Sequence, residues 1–422
     1  MSYQIENTRQ AAGGTRWLTR RGGTRVRIQP NVILLGFNSL LTDISSEMVN
    51  TVLPLYLLFA LRLAPVQFGL IDGLYQGGAV LVRAASGFVS DRRRDPKGVA
   101  AVGYGLSAVC KIGFLVITTP FAALAGLVMV DRLGKGIRTA PRDALISQST
   151  EPENLGIAFG VHRALDTAGA MIGPLLAFLI LSVASQGYDA IFMVSFCFAL
   201  CGLALLILFV RNPPEPNDED SRPKVTGRDV ATLLKAPGFA GILGIGAALS
   251  VATVSDSFLY LSLQEQLQFN MSLFPLLYVV TAVVFMVLAI PFGRVADRIG
   301  RTPMFVGGYV VLAFAYVSLL VPTALPFQFV LTLILLGAYY AMTDGVLAAL
   351  ASSLLPENVR GSGLGVLSTA TGAGRLVASV LFGVIWTAVG LHAAVAIYLV
   401  GLVVVLVVTA LLLRTRQALA NA

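Results

Sequence analysis

Residues 391–413, LHAAVAIYLVGLVVVLVVTALLL, contain no Lys, Arg, Asp or Glu. A helix needs about 20 apolar residues to cross the roughly 30 Å of hydrocarbon in a bilayer. This run is long enough, and about a dozen runs of this kind follow one another along the chain between short polar breaks. The sequence therefore predicts an all-α integral membrane protein.

The composition excludes an ordinary soluble domain. The 422 residues are 56% hydrophobic and only 12% charged, with a mean hydropathy of +0.81, whereas about 25% of the residues of a soluble domain are charged. We predict twelve transmembrane helices, near residues 31–60, 67–89, 98–119, 121–148, 154–184, 188–210, 238–263, 272–292, 303–321, 326–354, 362–388 and 391–413.

The positively charged residues are concentrated in alternate breaks between the predicted helices. Short loops rich in Lys and Arg face the cytoplasm, so we predict a protein of the cytoplasmic (inner) membrane with both termini in the cytoplasm. This topology accounts for the net charge of +8, and we expect no nucleic-acid partner. The charged breaks hold Arg92, Arg93, Arg94, Lys97, Arg142, Arg211, Arg222, Lys224, Arg228, Arg298, Arg301 and Arg360.

The second half of the chain repeats the first at a spacing of about 206 residues. Gly87-x-x-x-Asp91-Arg92 recurs as Gly293-x-x-x-Asp297-Arg298, and glycines 156, 160 and 169 recur at 361, 365 and 374. Two copies of six helices are typical of transporters whose site lies between the halves. The predicted parts are a basic N-terminal tail (1–30), a six-helix bundle (31–210), a cytoplasmic linker (211–237), a second six-helix bundle (238–413) and a C-terminal tail (414–422).

The repeated loop resembles a motif of the major facilitator superfamily, G-x-x-x-D-R-x-G-R-[RK], which lies between that family's second and third helices. The first copy, GFVSDRRRDPK, lacks the later glycine, whereas the second copy, GRVADRIGR, keeps it. The resemblance implies two six-helix bundles related by pseudo-twofold symmetry, and loops that act as latches for one conformation. Alternatively, the loops only fix the topology through their positive charge. The predicted latch residues are Gly87, Asp91, Arg92, Gly293, Asp297, Arg298, Gly300 and Arg301.

Helices four and five carry two further resemblances to this family. Residues 132–140, RLGKGIRTA, are similar to its pattern R-x-x-Q-G-x-G-x-A, which is associated there with proton coupling, and the longer string DRLGKGIRTAPRD is similar to that of a bacterial subgroup. Gly169-x-x-x-Gly173-Pro174 resembles the start of the exporters' signature G-x-x-x-G-P-x-x-G-G, although LLAF replaces its ending. We predict a helix-five hinge at these three residues, and the resemblance favours export.

Ionisable residues inside the predicted helices are the candidates for function, because a charge at bilayer depth costs about 2.5–3.5 kcal/mol on insertion scales. Asp43 and Glu47 are four residues apart and share one face of helix one. Carboxylates that share a partly dry cavity repel each other, which favours uptake of a proton. Arg132 is predicted to neutralise one of them in one state and to release it in another, although a static buried salt bridge is the alternative.

Other ionisable residues extend the predicted coupling and substrate cavity. On helix five, His162 and Arg163 lie four and three residues before Asp166, so an intrahelical pair is possible. We expect proton coupling in the first half and substrate recognition in the second, where Tyr260, Tyr339, Tyr340 and Trp386 are candidates for contact or for mere packing. Lys111 and Arg83 are candidate partners of Asp72 or cavity residues. The predicted set is Asp43, Glu47, Arg132, Lys135, His162, Arg163, Asp166, Asp256, Asp344 and Arg375.

The sequence favours a secondary active transporter that works by alternating access, most simply an antiporter that exchanges protons for an anionic or zwitterionic organic molecule. A proton symporter that imports a nutrient is the alternative. A membrane enzyme is disfavoured, because no set of nucleophile, base and orienting residue and no phosphate-binding glycine loop is present. We expect a monomer in the lipid bilayer without metal or cofactor, and the three cysteines are expected to be packing residues.

Overall fold

The computed structural model describes residues 29–79, 82, 95–117, 119–212, 234, 237–321, 326–356 and 359–421. These residues form helices, without a strand among them. We number the helices of the first half α1 (Pro30–Leu55, with a π-helical end over Tyr56–Ala60), α2 (Pro65–Gly77), α3 (Pro96–Val116), α4 (Phe121–Gln148), α5 (Leu155–Val183) and α6 (Tyr188–Phe209). The second half comprises α7 (Pro237–Val251 and Asp256–Leu267), α8 (Phe274–Ile299), α9 (Arg301–Leu320), α10 (Pro326–Thr343 and Val346–Leu354), α11 (Arg360–Val389) and α12 (Leu391–Asn421).

Ten of these helices are long and apolar enough to cross a membrane by length and composition alone. The remaining two helices do not meet these criteria: α4 carries too many charged residues, and the described part of α2 is only 13 residues long. The predicted fold, an all-α membrane protein of twelve helices, is confirmed. Helix α12 continues to Asn421, beyond the end predicted at residue 413. Most of the predicted N-terminal tail and linker lies outside the described residues.

Two predicted spans are interrupted rather than continuous. Helix α7 breaks over residues 252–255, and α10 breaks at residues 344–345, where Gly345 has a φ of 75° that favours glycine. At the first break, the backbone N–H of Val254 donates a hydrogen bond of 2.8 Å to the hydroxyl of Tyr316. Irregular backbone at membrane depth is tolerated only where protein or a cavity surrounds it. Apolar periodicity did not reveal either break, because the flanking sequence stays apolar.

The sequence repeat is visible as equivalent helix contacts in the two halves. A Cβ on Gly169 of α5 would collide with the carbonyl oxygen of Leu40 on α1. A Cβ on Gly374, its counterpart on α11, would lie 3.0 Å from the carbonyl oxygen of Ala247 on α7 and 2.9 Å from Cβ of Ser250. In each half, therefore, the fifth helix packs closely on the first through the same repeated glycine.

The two halves meet most closely where α2 packs against α11. A Cβ on Gly69 would lie 2.5 Å from the carbonyl oxygen of Ser379 and 3.1 Å from Cα of Gly383. Nearby, the backbone N–H of Val66 donates a hydrogen bond of 3.1 Å to Oγ1 of Thr387. We call the end of the molecule at which α1 ends and α2 begins the distal end, and the opposite end, at which α6 ends and α7 begins, the linker end. The α2–α11 contact lies in the distal half.

Aromatic side chains from both halves fill the space beside this contact. The ring of Phe258 on α7 lies 4.8 Å from that of Phe68 on α2, 4.6 Å from that of Phe382 and 5.8 Å from that of Trp386, both on α11. Phe68, Phe258 and Phe382 are buried. We call these four residues the aromatic plug. Together with the glycine contact, the plug closes the distal end between the two bundles.

We predict that Gly69→Ala destabilises the protein by about 1–3 kcal/mol, because a buried methyl group added without space forces backbone shifts. The measurement is the thermal unfolding of the purified protein in detergent. Gly244→Ala is the matched control, because a Cβ on Gly244 of α7 meets no atom within 4 Å. Equal unfolding temperatures for the two variants would show that the α2–α11 contact is looser than described.

Candidate functional site

Close packing of α1 on α5 places ionisable residues of the two helices side by side. A Cβ on Gly173 would lie 2.8 Å from the carbonyl oxygen of Ile44 and 3.0 Å from Cβ of Glu47. A Cβ on Gly36 of α1 would lie 2.5 Å from Cδ1 of Leu165. Small residues allow helix backbones to approach in this way. The predicted hinge residues Gly169, Gly173 and Pro174 thus lie within α5, and the two glycines serve as its contact with α1.

A carboxyl pair stands at this α1–α5 contact. The carboxyl of Asp43 on α1 approaches that of Asp166 on α5 within hydrogen-bonding range, and the cations Lys135 and Arg138 of α4 face Asp43. Asp43 and Lys135 are partly accessible, whereas Arg138 is buried with its guanidinium over the ring of Tyr104, 4.6 Å from the centroid. Four charged groups from three helices therefore share one region. Asp43, Lys135 and Asp166 belong to the set predicted from the sequence, whereas Arg138 and the direct approach of Asp43 to Asp166 were not predicted.

Glu47 lies one helical turn further along α1, on the same face. Its carboxylate accepts a hydrogen bond of 2.9 Å from Nδ2 of Asn50, and the cations Arg132 and Lys135 of α4 lie within electrostatic reach. The structure therefore places both predicted carboxylates of α1 against the charged face of α4.

The imidazole of His162 is engaged by α1 rather than by its own helix. Nε2 of buried His162 lies 2.8 Å from Oγ of Ser39. Arg142 of α4 donates to Oγ of Ser39 over 3.4 Å, pairs with Asp143 at 3.0 Å and lies 3.9 Å from Asp166. The contacts of His162 and Asp166 therefore join α1, α4 and α5, and the intrahelical pair of His162 with Asp166 that the spacing allowed is not formed.

A buried ion cluster joins α3 to α4. Nζ of Lys111 lies 2.9 Å from Oδ1 of Asp131, and the guanidinium of Arg132 contacts the other oxygen of the same carboxylate. Lys111 is 1% exposed, and Asp131 and Arg132 are each 3% exposed. Cζ of Arg132 also lies 3.7 Å from the ring centroid of Tyr75 on α2. Arg132 therefore binds α2 and α4 together.

Two of the pairings considered from the sequence are not formed in this structure. The direct partner of Arg132 is its neighbour Asp131, not a carboxylate of α1, because the side chain turns toward α3 and the ring of Tyr75. Lys111 pairs with Asp131 and not with Asp72. The other candidate partner of Asp72, Arg83, lies outside the described residues. Spacing along the sequence does not show which residues of neighbouring helices meet, so the Lys111–Asp131 pair could not be predicted from the sequence.

Asp72 of α2 takes its hydrogen bond from the other bundle. Its Oδ2 accepts a bond of 2.6 Å from Oγ of Ser379 on α11, and Asp72 is 5% exposed. The bond lies within the α2–α11 contact of the distal end. Sequence reasoning did not find this link, because it joins residues 307 positions apart.

In the second half, the ionisable residues surround a cavity at the break in α7. The hydroxyl of Tyr340 donates a hydrogen bond of 2.6 Å to Oδ1 of Asp256. Arg375 faces Tyr339, Tyr340 and Asp344, and Asp344 also faces Arg163 across the interface between the bundles. The cavity is lined by Gln76, Thr253, Val254, Ser255, Asp256, Tyr339, Tyr340, Arg375 and Ser379. Gln76 is contributed by the first bundle and the other eight residues by the second.

The four aromatic candidates separate into three environments. Tyr339 and Tyr340 line the cavity, as predicted. Tyr260 is fully buried, and its hydroxyl donates a hydrogen bond of 2.8 Å to Oγ1 of Thr281 on α8. Trp386 belongs to the aromatic plug. Of the two alternatives for Tyr260, substrate contact and packing, the structure therefore shows packing, between α7 and α8.

The predicted latch of the second half lies at the linker end of α8. Gly293, Asp297, Arg298 and Arg301 are exposed, and Gly300 between α8 and α9 has a φ of 95°, which favours glycine. The described hydrogen bonds and salt bridges include none from the side chains of Asp297, Arg298 or Arg301. The first copy, with Gly87, Asp91 and Arg92, lies outside the described residues.

We predict that Asp131→Asn destabilises the protein by about 3–5 kcal/mol, because it leaves two buried cations without their shared carboxylate. Lys111→Met costs less, since Asp131 keeps Arg132 as its partner. Thermal unfolding of both variants checks the order. The double variant Lys111→Met, Asp131→Asn is expected to recover part of the loss, and a double variant less stable than Asp131→Asn alone would contradict this account.

The comparisons with known proteins agree with this architecture. An uncharacterized MFS-type transporter of Methanocaldococcus jannaschii is 32% identical over 371 residues, which cover 85% of this chain and 89% of that protein. An uncharacterized protein of Mycobacterium tuberculosis is 31% identical over 229 residues, which cover 52% of this chain and 54% of that protein.

Solved structures share the fold at low sequence identity. A mutant of the nucleoside transporter NupG superposes with a TM-score of 0.76 at 15% identity, over 90% of this chain and 98% of that chain. The POT family transporter PepTSo superposes with a TM-score of 0.75 at 14% identity, over 93% and 99% of the two chains. The model of the Major Facilitator Superfamily matches residues 35–288 and 253–421. With twelve helices in two repeated bundles and a polar cavity between them, this chain belongs to the major facilitator superfamily of membrane transporters.

Proposed function

We propose that this protein is a secondary active transporter that couples movement of protons to movement of a small anionic or zwitterionic organic molecule. The observation that carries the proposal is the carboxyl pair Asp43–Asp166 at the contact between α1 and α5, with Lys135 and Arg138 of α4 within electrostatic reach and Arg142 3.9 Å from Asp166. Two carboxyl groups this close share a proton, since full ionisation of both is opposed by their repulsion. Such a pair takes up and releases a proton as its surroundings change.

The cations beside the pair link the proton to the substrate. When the pair is ionised, Lys135 and Arg138 neutralise it; when a proton binds, their positive charge is left for an anionic group of the substrate. Proton binding to the pair therefore raises the affinity of these two cations for the anionic group of the substrate. Linkage of this kind is reciprocal and by itself supports joint movement of proton and anion, the symport alternative. The proposal of exchange rests on the α5 signature that is similar to that of exporters.

The two bundles provide the change of access. The glycine contact and the aromatic plug close the distal end. At the linker end the helices are less closely packed beside two glycines, since a Cβ on Gly160 of α5 or on Gly365 of α11 would meet no atom within 4 Å. Rocking of the bundles would separate α2 from α11 and bring the linker ends together. In that second state we propose that the latch loops with Gly87, Asp91, Arg92, Gly293, Asp297, Arg298, Gly300 and Arg301 engage their neighbours.

We propose that the linker end faces the cytoplasm of a cell whose inner membrane holds the protein, with both termini on that side. The Lys and Arg residues of alternate loops support this orientation. Residues 31–210 and 238–413 then form the two moving bundles, residues 211–237 the cytoplasmic linker, and a monomer contains the complete pathway. Export is the proposed direction, since the Gly169-x-x-x-Gly173-Pro174 signature of α5 is similar to that of exporters.

We expect Asp43→Asn and Asp166→Asn each to reduce substrate-driven proton movement at least about tenfold, because an amide cannot carry the shared proton. The measurement is the fluorescence of a pH-sensitive dye in proteoliposomes, with a substrate identified by thermal-shift screening. Substrate counterflow without a proton gradient is expected to continue. Asp189→Asn, an exposed carboxylate at the distal end, is the matched control. The coupling assignment would be contradicted if proton movement persisted in Asp166→Asn and also in the double variant Asp43→Asn, Glu47→Gln.

The direction of coupling is tested separately. In proteoliposomes with an imposed pH gradient, antiport predicts that the substrate accumulates in the acidic compartment, since protons leave that compartment in exchange. Symport, the alternative, predicts accumulation in the alkaline compartment. If the substrate accumulates in the alkaline compartment and Asp43→Asn abolishes this accumulation, the proposed coupling site is retained and the proposed direction changes from export to import.

A further inference from the structure

A carboxylate at the break in α10 has an unused acceptor. Asp344 directly precedes Gly345, whose φ of 75° marks the interruption of the helix. Oδ2 of Asp344 is buried and accepts no hydrogen bond, although the backbone N–H of Gly345 faces the carboxylate. Buried polar groups are normally hydrogen-bonded, so an unused oxygen of this kind points to a partner that it meets in another state of the protein.

Two arginines, one from each bundle, face this carboxylate. Arg375 of α11 belongs to the same bundle as Asp344, whereas Arg163 of α5 belongs to the other. Among the described residues, neither arginine forms a salt bridge, and the side chain of Arg163 is exposed. Asp344 is therefore attracted by two cations and bonded to neither, and one of these cations lies across the interface between the bundles.

Arg163 and Asp344 lie at similar depths below the linker end. Arg163 lies eight residues after the start of α5, and Asp344 lies ten residues before the end of α10, and both of these helix ends are at the linker end. At 1.5 Å per residue, the two positions are about 12 and 15 Å from the helix ends. Helix α8 lies beside both helices, since it contacts α5 and since a Cβ on Gly337 of α10 would lie 2.5 Å from Cγ1 of Val284.

The space beside Arg163 is open in this structure. Gly160 lies one turn before Arg163 on the same face of α5, it is exposed, and a Cβ on it would meet no atom within 4 Å. Movement that closes the linker end brings this face of α5 toward the second bundle and removes water from the guanidinium. A cation that loses water inside the membrane is costly unless an anion pairs with it. Asp344 already faces Arg163 from that bundle.

We infer that Arg163 and Asp344 form an ion pair when the linker end closes, and that this pair holds the two bundles in that state. The inference rests on the rocking of the bundles in the proposed function, and it adds a contact within the membrane-spanning helices to the latch loops at their ends. Asp344 then lies between two cations, as Asp131 does in the first bundle. When the linker end reopens, the pair is broken and Asp344 faces Arg375 at closer range than Arg163.

Cross-linking tests the approach of the two side chains. The three native cysteines are replaced by alanine, Arg163→Cys is combined with Asp344→Cys, and a protease site is inserted in the linker at residues 211–237. Oxidation of membranes is expected to form a disulfide, because the bundles pass through the state with a closed linker end. The two halves then stay together on a gel after proteolysis. Asp189→Cys with Asp344→Cys is the control and is expected to separate, since exposed Asp189 lies at the distal end.

A double-mutant cycle tests the charges. Gly160→Cys in the cysteine-free protein reports on the linker end, because its thiol reacts with a maleimide while that end is open. Arg163→Gln and Asp344→Asn are each expected to raise the rate of this reaction at least about twofold. The double variant is expected to react no faster than the faster single variant, because both substitutions remove the same bond. Arg211→Gln, which removes an exposed guanidinium after α6, is the control and is expected to leave the rate unchanged.

The inference is overturned if no disulfide joins positions 163 and 344, if either single variant leaves the alkylation rate unchanged, or if the two effects add. Neither measurement uses a substrate or a proton gradient. A disulfide and non-additive rates, together with proton movement that persists after replacement of Asp43 and Asp166, would retain the ion pair and reject the proposed coupling. Additive rates in a protein whose proton movement depends on Asp43 would retain the coupling and reject the ion pair.

Discussion

The hydrocarbon of the bilayer penalises every charge that lacks a partner, and this cost organises the first bundle. Lys111, Asp131 and Arg132 remove three charges from lipid by placing one carboxylate between two cations. The cluster also determines how helices pack, because it joins α3 to α4 and places Arg132 against the ring of Tyr75 on α2. A buried ion group of this kind contributes more to a unique arrangement than to net stability. Asp43, Glu47 and Lys135 lie beside this cluster and are more accessible than its members, and these are residues to which we assign the proposed exchange of partners.

The two bundles share one architecture and use it differently. Both pack their first and fifth helices through the same repeated glycine, Gly169 in one and Gly374 in the other. The first bundle fills the resulting region with carboxylates and cations, whereas the second interrupts α7 and α10 and surrounds the breaks with tyrosines. Broken helices expose backbone and side-chain groups to a cavity without exposing them to lipid. The proposed storage of a proton in the first bundle draws on this difference in chemistry.

Sequence reasoning predicted the helices of this fold because a helix that crosses the bilayer needs an apolar run of a characteristic length. The repeat predicted the two bundles because equivalent glycines occupy equivalent contacts. On one helix, spacing correctly grouped Asp43 with Glu47. Contacts between helices were harder to predict, since helix rotation decides them. The sequence offered Asp72 or the cavity for Lys111, which instead pairs with Asp131, and it left substrate contact and packing open for Tyr260, which packs against Thr281. The interruptions in α7 and α10 were missed, because apolar residues surround both breaks.

The hydrogen bond between Asp72 and Ser379 has its acceptor on one bundle and its donor on the other. Any movement that opens the distal end must break this bond and expose the carboxylate to water. The free-energy difference between the two access states therefore includes the hydration of Asp72, a quantity set by the solvent outside the membrane as well as by protein contacts. If the bundles rock as proposed, lower water activity at that surface favours the state with a closed distal end, so osmotic conditions influence the equilibrium between the two states.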